Sequence, residues 1–287
     1  METIHHIGVV GAGLMGSGIA EVCARGGLDV VVAEINSDAL ARGRRHIEAS
    51  LARGVRSGKL SEADRGAALG RLRLTTDLGE LADRDVVVEA VAENERIKTE
   101  VFTVLDKVVC RPDAILASNT SSIPISKLAM VTTRPQQVIG IHFFNPVPVL
   151  DLVELVPSLL TGEETELRTR RFLTEVLGKQ VIRATDRAGF VVNALLVPYL
   201  LAAVRMLESG YASAADIDGG MVHGCAHPLG PLALTDLIGL DTTQAIAESM
   251  FDEFKEPLYA PPPLLQRMVE AGLLGRKAGQ GFHRYDS

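Results

Sequence analysis

The sequence predicts an α/β chain in two parts, a doubly wound domain of mostly parallel strands followed by an all-α C-terminal domain. Two observations carry this. Through the first half, short apolar runs alternate with amphipathic stretches, as successive βαβ units do. From about residue 186 onward the short runs stop and long helical periodicities take over. The division gives residues 1–186 and 187–287, both within ordinary domain sizes.

Strand-like runs fall at 7–10, 30–33, 85–91, 115–118, 138–144, 152–156 and 181–184. Between them, Ser37 is placed to cap a helix carrying Leu40, Ile47 and Leu51, and NERIKTEVFTVLDKVV puts Ile97, Val101, Leu105 and Val108 on one face. Beyond the division, helices are expected at 189–208, after Ser213, around 232–254 and near 264–271, with the prolines at 261–263 as a rigid connector. The uncharged run AGFVVNALLVPYLLAAV is 17 residues long and contains Asn193 and Pro198. It falls short of the roughly 20 apolar residues of a spanning helix and reads as a buried helix.

Composition narrows the class. A formal charge of −7 with no concentrated Lys/Arg stripe excludes a nucleic-acid partner, and no segment reads as a membrane anchor or signal peptide. Three scattered cysteines fit reduced thiols and a cytoplasmic chain.

The first strand, IGVV, runs directly into Gly11-x-Gly13-x-x-Gly16 at the start of a helix. Gly11 permits the tight turn, Gly13 lets a pyrophosphate approach the backbone, and Gly16 lets helix pack on strand. Leu14 and Met15 complete the phosphate-facing turn. Glu34, 18 residues past Gly16, ends the next strand where a carboxylate accepts from the ribose hydroxyls. The first part therefore reads as a Rossmann-type dinucleotide-binding domain. Glu34 favours NAD over NADP, although Arg42, Arg44 and Arg45 follow closely and leave NADP open.

Oxidising an alcohol with such a cofactor needs a base, a group that holds the base, and donors for the carbonyl oxygen. His142, late in VIGIHFFNP, is the candidate base. Glu154, twelve residues on in the apolar run LVELV, needs a partner, and an imidazole on a neighbouring strand would supply one. Asn119 and Ser121 in ASNTSS, and Asn193 one turn into the long helix, are candidate donors. HGCAH at 223–227 reads as a helix end and turn rather than a zinc site, which needs four ligands. Arg53, Arg56 and Lys59 form a small basic group suited to phosphates.

With these motifs in place, the whole chain resembles the 3-hydroxyacyl-CoA dehydrogenase family, in particular its short bacterial 3-hydroxybutyryl-CoA members. The resemblance rests on GAGLMGSGIA, VEAVAEN, ASNTSS, IHFFNPVPVLDLVELV, GFVVNALL, HPLGPLALTDLIGLDT and GRKAGQGF. It implies NAD-dependent interconversion of an L-3-hydroxyacyl-CoA and its 3-oxoacyl-CoA. His142 matches the family's base and Glu154 its orienting partner, while Ser121 and Asn193 match residues that contact the substrate oxygens. Glu93 and Lys98 match positions near the nicotinamide, the basic group lies in a region used for acyl-CoA, and the helical domain implies a homodimer. Two positions depart, with Ala188 where the family has Pro and Ala194 where it has Arg. The alternatives are a same-fold dehydrogenase of a carrier-bound thioester or a free hydroxy or sugar acid, and a non-catalytic NAD-binding protein. Phe143 and Phe144 favour a thioester over a sugar acid.

Overall fold

The computed structural model describes residues 4–285. It divides into two compact units, Met1–Asp186 and Arg187–Ser287.

In the first unit the elements run β1 (His6–Val10), α1 (Leu14–Arg25), β2 (Asp29–Ala33), α2 (Ser37–Arg56), α3 (Glu62–Gly70), β3 (Leu72–Thr75), β4 (Val86–Glu89), α4 (Glu95–Val108), β5 (Ile115–Ser118), α5 (Ile125–Met130), β6 (Val138–Phe143), β7 (Leu152–Pro157), α6 (Glu163–Arg171) and β8 (Gln180–Arg183). They build one eight-stranded sheet in the order β3-β2-β1-β4-β5-β6-β7-β8. Every neighbouring pair is parallel except β6 and β7. Both faces are covered, so the central strands are apolar on each side: Ile7, Val9, Val30, Val32, Val86, Val88, Ile115 and Ala117 are buried on one face and Val10, Val31, Val87 and Leu116 on the other. Each such Val or Ile contributes about 1.5–3 kcal/mol by leaving water.

Several local expectations shift. The sheet has an unforeseen edge strand, β3, whose sequence LRLT is half-exposed. Helix α2 is capped by Asn36, whose side chain accepts from Ala39 N at 2.9 Å, and Ser37 is its first helical residue. The buried face of α4 is Lys98, Phe102 and Leu105, one residue on from the predicted Ile97 and Val101, and Ile97 is exposed. An ion pair accounts for the rotation, because Lys98 turns inward to meet Glu89.

The second unit is helical: α7 (Val192–Glu208), α8 (Ala214–Cys225), α9 (Pro231–Ile238), α10 (Leu240–Phe254) and α11 (Pro263–Glu270). The single helix expected over 232–254 is two, broken at Gly239, whose φ of 103° lies outside helical space. Val197, Leu201, Val204, Leu232, Ala247, Met250 and Leu265 form its core. Asp218 accepts from Leu232 N and Ala233 N, capping α9. Asp236 pins the C-terminal segment by accepting from Phe282 N, His283 N and Tyr285 Oη at 2.8–2.9 Å. Among the described residues no helix is long and apolar enough to cross a membrane.

Candidate active site

In a parallel sheet the ligand crevice opens at the carboxyl ends of the strands. Here the ends of β1, β4, β5 and β6 bring together the glycine turn, Glu89 and Glu93, the loop Asn119–Ser122, and His142.

At the end of β1, Gly11 has φ 98°, and a Cβ there would lie 2.7 Å from Ala90 O. A Cβ on Gly16 would sit 1.8 Å from Gly11 O, so the first turn of α1 closes on the strand only with hydrogen at that position. Gly13 differs, since a Cβ on it meets nothing within 4 Å. No side chain caps α1, and its first-turn N–H groups and positive dipole end face that open space. Glu34, at the end of β2, accepts from Ala12 N at 2.7 Å through Oε2, which brings its carboxylate against the turn. An open cradle, an uncapped helix end and a carboxylate beside them fit a dinucleotide's pyrophosphate and ribose. Leu14 is exposed, and Arg42, Arg44 and Arg45 are exposed on α2, where Arg44 pairs with Glu48 at 2.8 Å.

His142 and Glu154 face one another as a register pair of the β6–β7 ladder. Nδ1 of His142 lies 2.7 Å from Oε2 of Glu154, with the residues 7% and 0% exposed. The one antiparallel pairing in the sheet thus puts an imidazole and a carboxylate on the same face at contact distance. Phe144 packs edge-on against the imidazole, ring centroids 4.6 Å apart.

The loop after β5 is tied down on two sides. Asn119 Oδ1 accepts from Phe143 N at 2.9 Å, which holds the loop beside His142. Oε1 of Glu93 collects Thr120 Oγ1 at 2.5 Å, Ser121 N at 2.9 Å, Ser122 Oγ at 3.2 Å and Ser121 Oγ at 3.3 Å. Lys98 Nζ lies 3.3 Å from the other Glu93 oxygen and 2.6 Å from Glu89 Oε1. Burial acts to raise the Glu93 pKa, but Lys98, Thr120 and Ser121 outweigh it and hold the carboxyl below its usual range. Glu89 escaped the sequence reading. The signal was present, because a carboxylate ending the apolar run VVVE needs a partner for the same reason as Glu154.

Asn193 is buried on the first turn of α7, in the second unit. Arg53 and Arg56 lie exposed in the last turn of α2 and Lys59 just after it, with no ion pair among the described residues. His223 and Cys225 sit in the last turn of α8, and Ala226 follows in a left-handed conformation.

Comparison with known proteins agrees over the full length. The family described as 3-hydroxyacyl-CoA dehydrogenase, NAD binding domain, matches residues 6–187, and the C-terminal domain of the same family matches residues 189–285. A 3-hydroxybutyryl-CoA dehydrogenase of Mycobacterium tuberculosis is 59% identical over 284 residues, 99% of each chain. The crystal structure of M. tuberculosis FadB2 superposes with a TM-score of 0.98 at 59% identity, covering 99% of this chain and all of that one. That of (S)-3-hydroxybutyryl-CoA dehydrogenase PaaH1 from Ralstonia eutropha gives 0.93 at 45% identity, with 99% and 100% covered. The chain belongs to the 3-hydroxyacyl-CoA dehydrogenase family, its first unit the NAD-binding domain and its second the C-terminal domain.

Proposed function

We propose that this protein interconverts L-3-hydroxyacyl-CoA and 3-oxoacyl-CoA with NAD, acting on short chains such as 3-hydroxybutyryl-CoA. The observation that carries the reading is the buried His142–Glu154 pair at 2.7 Å. With Nδ1–H donating to Glu154, Nε2 is the ring nitrogen that exchanges a proton with the substrate hydroxyl. Glu154 fixes the tautomer and stabilises the imidazolium that forms when His142 takes the proton. Bound NAD supplies the hydride acceptor for oxidation, or its reduced form the donor for reduction. Gly11, Gly13, Leu14, Met15 and Gly16 would hold its pyrophosphate and Glu34 its adenosine ribose, with Glu93, Lys98 and Asn119 toward the nicotinamide.

Ser121, whose hydroxyl rests on Glu93 at 3.3 Å, would turn its single O–H to the substrate oxygen and so stabilise charge developing there. Asn193 carries the same assignment through the family resemblance. The exposed cations Arg53, Arg56 and Lys59 suit the phosphates of coenzyme A. Leu195, Tyr199, Ala202 and Met206 recur at helical spacing along α7, with Leu195 74% and Met206 42% exposed, and this stripe supports a homodimer through the second unit. Three free cysteines support a cytosolic location.

The test is a panel of acetoacetyl-CoA, longer 3-oxoacyl-CoAs, an acetoacetyl carrier-protein thioester and a free 3-oxo acid, each with NADH and NADPH. Preferential turnover of acetoacetyl-CoA with NADH is expected. Preference for the carrier-protein thioester or the free acid would refute the substrate assignment, and preference for NADPH the cofactor assignment.

A further inference from the structure

Behind Ser121 stands a buried chain of charged and polar groups whose innermost member, Glu89, has no part in the reaction as derived above. Its Oε1 accepts from Lys98 Nζ at 2.6 Å and Val91 N at 2.7 Å, and its Oε2 accepts from Ser118 Oγ at 2.6 Å. The Glu89 and Lys98 side chains are 0% and 1% exposed. The partners lead toward the same loop. Ser118 is the residue from which the loop departs, and its Oγ also accepts from Thr120 N at 3.2 Å. Lys98 reaches on to Glu93, and Glu93 gathers Thr120, Ser121 and Ser122 on a single oxygen.

Two opposite charges taken out of water recover their hydration only through close pairing and hydrogen bonds to the remaining lone pairs and protons. Well-packed apolar residues of the same volume often serve stability as well or better. What this arrangement supplies is position: it fixes the ammonium that holds Glu93, and Glu93 fixes the loop. From this geometry we infer that Glu89 is a positioning residue, acting through Lys98 and Glu93 to set the Ser121 hydroxyl for the substrate oxygen. The inference rests on the proposed contact between Ser121 and substrate.

The test is a double-mutant cycle on kcat/KM for acetoacetyl-CoA, with Glu89→Gln, Ser121→Ala and the two combined. Each single substitution is expected to lower kcat/KM about tenfold or more, and the double variant to fall within about twofold of Ser121→Ala, because residues acting through one contact are not additive. A general scaffold role predicts the same loss from Glu89→Gln in both backgrounds. That additive result overturns the inference, as does wild-type kcat/KM in Glu89→Gln. Wild-type kcat/KM in Ser121→Ala would instead overturn the assignment of Ser121, and the inference with it. Should Glu89→Gln fail to fold because Lys98 is left buried without its counter-charge, Glu89→Asp, which keeps the charge but shortens its reach to Lys98, is judged by the same comparison with Ser121→Ala.

Discussion

Gly13→Ala separates cofactor binding from folding within a single turn of chain. Gly13 has φ −68° and ψ −167°, backbone values open to any L-residue, and its added Cβ meets nothing within 4 Å. The folded chain therefore accepts the methyl without strain. Alanine also restricts the unfolded chain, worth about 0.4–1 kcal/mol, which roughly offsets the about 0.5–1 kcal/mol lost because glycine is a better N-cap than alanine. In a domain of this size that is a change in Tm within about 3 °C. On the proposed assignment, the methyl would occupy the space through which a pyrophosphate reaches the first-turn N–H groups of α1. Losing one hydrogen bond to a charged acceptor costs about 1.5–3 kcal/mol, or about 10- to 150-fold in Kd. NADH titration by fluorescence measures the affinity and a thermal melt of the cofactor-free protein measures stability. Gly16→Ala is the opposite control, since its Cβ would lie 1.8 Å from Gly11 O and the fold itself must give way. A Gly13→Ala protein that binds NADH within twofold of wild type would refute the cradle assignment, and one that loses Tm as Gly16→Ala does would refute the packing argument.

Other expectations are equally specific. His142→Gln and Glu154→Gln should each lower turnover of acetoacetyl-CoA by about 10²–10⁴-fold, the usual worth of general acid–base catalysis, while NADH affinity stays within about threefold; parallel loss of cofactor binding would count against the pair as the catalytic centre. Glu21 lies buried on α1 with Oε2 unpartnered, and burial raises its pKa above 4.5 despite opposing contributions from Ser50, Arg25 and Arg53. The unfolded chain therefore releases this proton first, and stability falls as pH climbs from the unfolded toward the folded pKa, the penalty persisting above it. Glu21→Gln should accordingly gain more Tm relative to wild type at pH 8 than at pH 4, and an equal shift at both would show that burial of the charge is not the cause. Asp236→Ala strands two backbone N–H groups and the Tyr285 hydroxyl, at about 1–3 kcal/mol for each one left buried and unsatisfied. All three groups are part-buried, so chemical denaturation should register a loss of about 1–3 kcal/mol, and one below about 0.5 kcal/mol would mean that the C-terminal segment is held by something else.

The glycine turn, the acidic end of β2 and the His142–Glu154 pairing were legible because each follows from a local rule: a turn needing positive φ, a strand end, a carboxylate stranded among apolar residues. What was lost depended on contacts that no short window contains. In β3, LRLT is an edge strand with Arg73 exposed, so it lacks the apolar run that marked its neighbours. The inward face of α4 starts with a lysine, which hydropathy assigns to solvent, and its pairing with Glu89 on β4 and with Glu93 explains its burial. Gly239 breaks a periodicity that is apolar on both sides of it, so the pattern alone reads through. Asn36 and Ser37 are both good caps, and sequence does not rank adjacent candidates at that resolution.

The pairing of β6 with β7 has a consequence for how the protein fails under stress. His142 and Glu154 sit opposite one another on two interior strands, so nothing short of opening that ladder separates them. Backbone amides there exchange with deuterium only as the whole sheet comes apart, whereas Ser121 and Ser122, half-buried on a loop, exchange through small openings. Heating should then loosen the hold on the substrate oxygen while the His142–Glu154 contact is still intact, so that kcat/KM decays at lower temperature than the sheet opens.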